Sequence, residues 1–195
     1  MTHWQIRLLS QSPLILRIAE HIPAQLQGRM IYGLSTGTLD DQIASAIEGG
    51  TPLVCKRLEA LRELQDRGLR TYGMLCPILP QADAEEYAGR VAASLRVDRC
   101  EHVWAEVLNV RGRSMARTYG ALRQAGHDAQ AGWLEQVANN GRLWEEYARR
   151  TFLALSKVVP PHKLRFLQYV KRGTLEWWRA HESLGAVLLG KVADG

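Results

Sequence analysis

Pro52-Leu53-Val54-Cys55-Lys56-Arg57-Leu58-Glu59-Ala60-Leu61-Arg62-Glu63-Leu64-Gln65-Asp66-Arg67-Gly68-Leu69-Arg70-Thr71-Tyr72-Gly73-Met74-Leu75-Cys76 is the stretch on which the fold turns. Leu58, Leu61 and Leu64 form one apolar stripe, and Glu59 and Glu63 stand four apart beside Arg62 and Arg67. That spacing predicts a helix over about 52–67, with Gly68 as a left-handed stop. Thr71 to Cys76 then reads as a strand, closed by Pro77 and Pro80. A helix that runs straight into a strand is half of a βαβ crossover.

The same alternation extends to both sides. Trp4 to Leu9 reads as a strand ending at the turn Ser10-Gln11-Ser12-Pro13. Proline suits a first helical position, so a helix is predicted from Leu14 to His21. Arg29 to Ser35 is a second strand, followed by Thr36-Gly37-Thr38 and a short helix opened by Asp40 and Asp41. After the third strand comes a helix over 83–95, and His102 to Leu108 is the fourth strand. Beyond Ser114 every segment reads as helical, including His162 to Val170 and Thr174 to Leu188.

Strands separated by helices imply right-handed crossovers and a parallel sheet. The expectation is therefore an α/β fold with about four parallel strands over residues 1–112 and a helical C-terminal region over 113–195. An open doubly wound sheet and part of a β/α barrel both fit. In either, ligands bind at the carboxyl ends of the strands. That rim comprises Ser10 to Ser12, Ser35 to Thr38, Cys76 to Leu79 and Glu106 to Arg111.

Composition narrows the function classes. The 195 residues are 46% hydrophobic and 23% charged, as expected of a globular domain rather than a disordered chain. No apolar run approaches the roughly 18 residues of a membrane span, and Met1-Thr2-His3-Trp4-Gln5 does not read as a signal peptide. A cytoplasmic, non-membrane protein is expected. Cys55, Cys76 and Cys100 are odd in number and lack the close spacing of a zinc or cluster loop. No His pair or HExxH motif suggests a metal site, and Gly49-Gly50 begins no phosphate loop. Residues 1–110 hold 11 basic and 13 acidic side chains, whereas residues 111–195 hold 14 and 7. The basic half reads either as a nucleic-acid surface or as solvated arginine-rich helices.

The rim segments also carry a resemblance. Leu9-Ser10-Gln11-Ser12-Pro13, Gly33-Leu34-Ser35-Thr36-Gly37-Thr38-Leu39-Asp40-Asp41, Gly73-Met74-Leu75-Cys76-Pro77-Ile78-Leu79-Pro80 and Ala105-Glu106-Val107-Leu108-Asn109-Val110-Arg111-Gly112 are similar, in order, to the second half of radical S-adenosylmethionine proteins of the DNA repair photolyase, or spore photoproduct lyase-like, branch. The similarity covers about residues 4 to 112. It implies a partial, half TIM-like β/α barrel. It also implies that Ser10, Ser12, Gly33, Ser35, Gly73 and Pro77 border S-adenosylmethionine.

The chain departs from that family at its chemical centre. A CxxxCxxC loop, which holds the family's [4Fe–4S] cluster, does not occur, and residue 1 falls just before the strand matching the family's fourth. The resemblance thus implies a truncated or split protein with no catalytic residue of its own. Cluster and activity would come only from a partner half that supplies the cysteines. The substrate class it implies is nucleic acid, with Arg111, Arg113, Lys171, Arg172 and Trp178 as candidate contacts. Trp178 reads equally as core. An interaction protein that keeps a nucleotide-type pocket, and a small α/β enzyme built on Ser10, Ser35 and Glu106, remain alternatives. Glu106 reads as an acid, a base or half of an ion pair.

A parallel sheet is normally protected at its edges. The first strand would lie exposed unless the tail covers it or another chain pairs with it, and a homodimer is expected.

Overall fold

The computed structural model describes residues 4–110 and 114–193. Its sheet has six strands, all parallel, in the order in which they occur along the chain. They are β1 (Ile6–Ser10), β2 (Met30–Ser35), β3 (Thr71–Ile78), β4 (Cys100–Val107), β5 (Leu164–Lys171) and β6 (Ala186–Ala193). The helices between them are α1 (Ile15–His21), α2 (Ala24–Gln27), α3 (Asp41–Ile47), α4 (Val54–Asp66) and α5 (Ala84–Leu95). Then follow α6 (Ser114–Gln124), α7 (Asp128–Asn139), α8 (Gly141–Val158) and α9 (Leu175–Arg179).

The α/β class stands, but there are six strands rather than four. The region after residue 113 is not wholly helical. Leu164, Phe166, Gln168 and Val170 are buried while Arg165, Leu167 and Tyr169 between them are half-buried, a period of two. The second face is itself partly apolar, which blurs that alternation in the sequence. Ala186-Val187-Leu188-Leu189 is an apolar run too short to assign by period alone.

Strictly sequential order with right-handed crossovers places the helical layer on one face of the sheet. The core agrees: it takes Tyr32 and Leu34 of β2, Leu75 of β3, Val103 and Ala105 of β4, and Leu164 and Phe166 of β5. Against these α4 buries Val54, Leu58, Leu61 and Leu64. A fully buried leucine contributes about 2 kcal/mol. The starts of α3, α5 and α8 are capped by Asp40, Asp83 and Asn140, each accepting from two backbone N–H groups. Such a cap contributes about 1 kcal/mol.

β1 pairs only with β2 and forms an edge of the sheet. Among the described residues the tail does not pair with it; the strands of the tail extend the opposite side of the sheet. Around β1, Trp4, Ile6, Leu9, Leu14 and Ile18 are exposed by 73, 50, 47, 59 and 43%. Among the described residues no helix is long and apolar enough to cross a membrane.

Candidate functional site

At the carboxyl end of the sheet, the helix-free face gathers Ser35 from β2, Cys76 from β3 and Glu106 from β4. Pairing of Ser35 with Met74, and of Met74 with Trp104, puts their even-spaced neighbours on this same face. The Ser35 hydroxyl donates to the Cys76 carbonyl at 3.5 Å, and the Cys76 thiol donates to Glu106 Oε2 at 3.7 Å. Burial, then the Glu106 charge, pushes the Cys76 thiol up to about 12. Burial also raises the Glu106 carboxyl above the ordinary glutamate range, partly offset by the thiol hydrogen bond.

The surroundings hold these groups in place. Arg57 of α4 is 1% exposed, donates to the Ser35 carbonyl at 3.2 Å and pairs with Glu48 at 2.5 Å. Tyr147 of α8 donates to the Ile78 carbonyl and accepts from the Leu108 N–H at 3.2 Å. Trp144 Nε1 donates to the Leu108 carbonyl at 2.9 Å. The ends of β3 and β4 are thus tied to a long helix, a feature with no local signal in the sequence.

The six expected cofactor positions do not converge. Ser10 and Ser12 are spent on their own turn: Ser10 Oγ accepts from the Ser12 N–H at 2.9 Å, and Ser12 Oγ accepts from the Leu14 N–H at 3.2 Å. Gly33 lies on the helix-free face, but the Tyr72 ring fills the space of its missing side chain, 2.2 Å from an ideal Cβ. Gly73 faces the helical layer, where Leu95 would stand 2.7 Å from a Cβ. The Pro77 carbonyl is packed against Gly37. Only Ser35 sits beside the Cys76–Glu106 pair. Among the described residues Glu106 takes part in no ion pair, and its side chain accepts from the Cys76 thiol. Ser35 donates to a carbonyl and not to a base, and Ser10 is elsewhere, so the three do not form a nucleophilic set.

The cysteines do not fit an iron–sulfur cluster. Cys55 is exposed on α4, Cys76 is half-buried on β3, and Cys100 is buried at the start of β4. Among the described residues no three His, Cys, Asp or Glu side chains come together as a metal-binding group.

The comparisons with known proteins assign no family. The chain is 29% identical over 96 residues to uncharacterized protein ORF301 of Acidianus two-tailed virus. The match spans 47% of this chain and 32% of that protein, so the chain covers about a third of its relative's length. No family model matches the chain. No solved structure matches it.

Of the expected nucleic-acid contacts, Arg111 and Arg113 lie outside the described residues. Lys171 and Arg172 are exposed at the end of β5. Trp178 is not a stacking surface: it is 0% exposed, stacks on Phe166 at 5.8 Å and donates to Glu145 Oε1 at 2.7 Å. Its neighbour Trp177 lines a cavity of about 490 Å³ with Arg142, Glu145, Arg149 and Arg150. Arg149 lies 4.5 Å from the Trp177 ring centre and His181 3.9 Å from it. Four basic side chains of this half, Arg142, Arg149, Arg150 and Lys157, lie on α8, and Arg149 covers the Trp177 ring.

Proposed function

We propose that this chain is an arc of a β/α barrel that works as one part of an assembly, joined to a second polypeptide along β1. The observation that carries the reading is the bare edge. Six strands follow one another in sequence, yet β1 has a neighbour on one side only and is flanked by exposed apolar side chains. Parallel sheets are covered on both faces in stable domains, a bare strand edge invites pairing, and exposed apolar side chains clustered around it mark a contact site. In the isolated chain the second polypeptide is another copy.

The sequence resemblance supports a radical S-adenosylmethionine type for this arc. In that reading a cluster-bearing half replaces the second copy at β1 and supplies the iron–sulfur chemistry. This chain contributes the Ser35, Cys76 and Glu106 wall, where Glu106 offers an acceptor for a ligand hydroxyl or ammonium group. It has no catalytic residue without that half. Nucleic acid is the substrate class the resemblance suggests, and the basic surface of α8 with Lys171 and Arg172 is in keeping with it.

Titration calorimetry with S-adenosylmethionine, without iron, tests the ligand part. Saturable binding that weakens in Glu106→Gln supports a nucleotide-type pocket. Heat no greater than buffer dilution leaves an interaction module and removes the cofactor from the reading.

A further inference from the structure

Nearer the amino ends of the strands, the helix-free face has a different chemistry. Arg7 of β1 reaches across β2 and β3, with its guanidinium 5.8 Å from the centre of the Trp104 ring on β4. Trp104 pairs with Arg165 on β5, and His102 pairs with Tyr72 on β3, so these side chains share one face. Trp104 Nε1 and His102 Nδ1 are both buried there without a hydrogen-bond partner. A buried polar atom left unpaired costs about 1–3 kcal/mol, and native proteins seldom leave two side by side.

The charge at this place is also unbalanced. Among the described residues neither Arg7 nor Arg165 has an ion-pair partner, and Glu101 on the same strand is committed to Arg70. Glu106 lies beyond Trp104, beside the Cys76 thiol. Arg165 Nη1 donates to the Leu164 carbonyl at 2.7 Å and to the Pro161 carbonyl at 3.5 Å, which leaves the other two guanidinium nitrogens for a ligand. Burial and the two guanidiniums hold His102 below the ordinary imidazole range, so the ring stays neutral with one N–H to donate.

We propose that this layer binds a small organic anion, whose carboxylate or phosphate oxygens sit between Arg7 and Arg165 and accept from Trp104 Nε1 and His102 Nδ1. Two guanidiniums match such an oxyanion in charge and geometry, and the two orphaned nitrogens gain acceptors. The site uses none of Ser35, Cys76 or Glu106, and stands whether or not the rim takes a nucleotide.

The test follows the indole N–H resonance of Trp104 in the ¹⁵N-labelled full chain, assigned by its loss in Trp104→Phe. Inorganic phosphate and succinate are titrated separately, with chloride at matched ionic strength as the control. A saturable shift with either anion and none with chloride is expected, and the one that saturates first identifies the headgroup. Arg7→Gln and Arg165→Gln should each weaken binding about tenfold or more. Arg7 lies on an exposed edge, so its variant keeps the fold if the Arg165 variant does not. Lys56→Gln, an exposed change on α4 away from this layer, should leave binding unchanged. No saturable shift with either anion, an equal shift with chloride, or binding indifferent to Arg7→Gln overturns the proposal.

Discussion

Cys76 and Glu106 face each other across the β3–β4 pairing, thiol to carboxylate at 3.7 Å, and burial favours the neutral form of both. The pair is therefore a polar ledge on the helix-free face rather than an activated nucleophile and its base.

Thiol reactivity should follow burial. Cys55 is exposed and its thiol is raised by the Asp41 side chain that it meets, whereas burial pushes the Cys76 thiol up to about 12 and the Cys100 thiol to about 11. In native protein at neutral pH, Ellman's reagent should modify one cysteine rapidly, and Cys55→Ser should abolish that phase. The remaining two thiols should react only on unfolding. Rapid modification of Cys76 would contradict the geometry.

The Glu106 carboxyl, raised by burial, makes stability depend on pH with a definite sign. A raised folded-state value means the group favours folding fully below its unfolded value, and that advantage fades as pH rises through the folded value. Glu106→Gln keeps the neutral form at every pH. Its melting temperature should exceed that of the unmodified protein in mildly alkaline buffer and converge with it in acid. A variant less stable in alkali would reverse the sign and exclude the account.

Arg57 is the buried brace of the rim, donating to Pro52, Ser35, Glu48 and Thr51. Arg57→Leu leaves the Glu48 carboxylate and the Ser35 carbonyl without their donor. The expected loss is about 3 kcal/mol or more, a fall in Tm of roughly 10 °C for a chain of this size. Calorimetric unfolding checks it, and a change under about 1 kcal/mol would show that the pair does not hold the rim.

Trp178 and Trp177 should separate cleanly. Trp178 fills the core between Phe152 and Phe166, so Trp178→Ala should cost about 3–5 kcal/mol. Trp177 is half-buried at a cavity wall, and its replacement should cost less than half as much. Equal losses in denaturant titrations would contradict this division.

Much of the fold was legible because α4 and α5 carry a clean apolar stripe and each runs into a strand, β3 lying between Gly68 and Pro80. β5 and β6 were not. Leu167 and Tyr169 make the second face of β5 apolar, and β6 follows α9 after the short turn from Ala180 to Gly185. Both were decided by pairing with strands far away in sequence. In the site, Ser35 and Glu106 were readable as strand-end polar residues. Their convergence on Cys76 was not, because register is a tertiary property. Gly73 misled for the same reason: a strand residue faces either the open side or the helices, and here Leu95 takes the space.

Amide hydrogen exchange along β1 tests the central claim most directly. The Ile6 N–H donates to the Arg29 carbonyl, so by alternation the Arg7 and Leu9 N–H groups point away from β2. If a second copy pairs along this edge, those two amides should be protected in concentrated protein and lose protection on dilution or in Leu14→Glu. Fast exchange of Arg7 and Leu9 at every concentration would contradict an assembly built on β1.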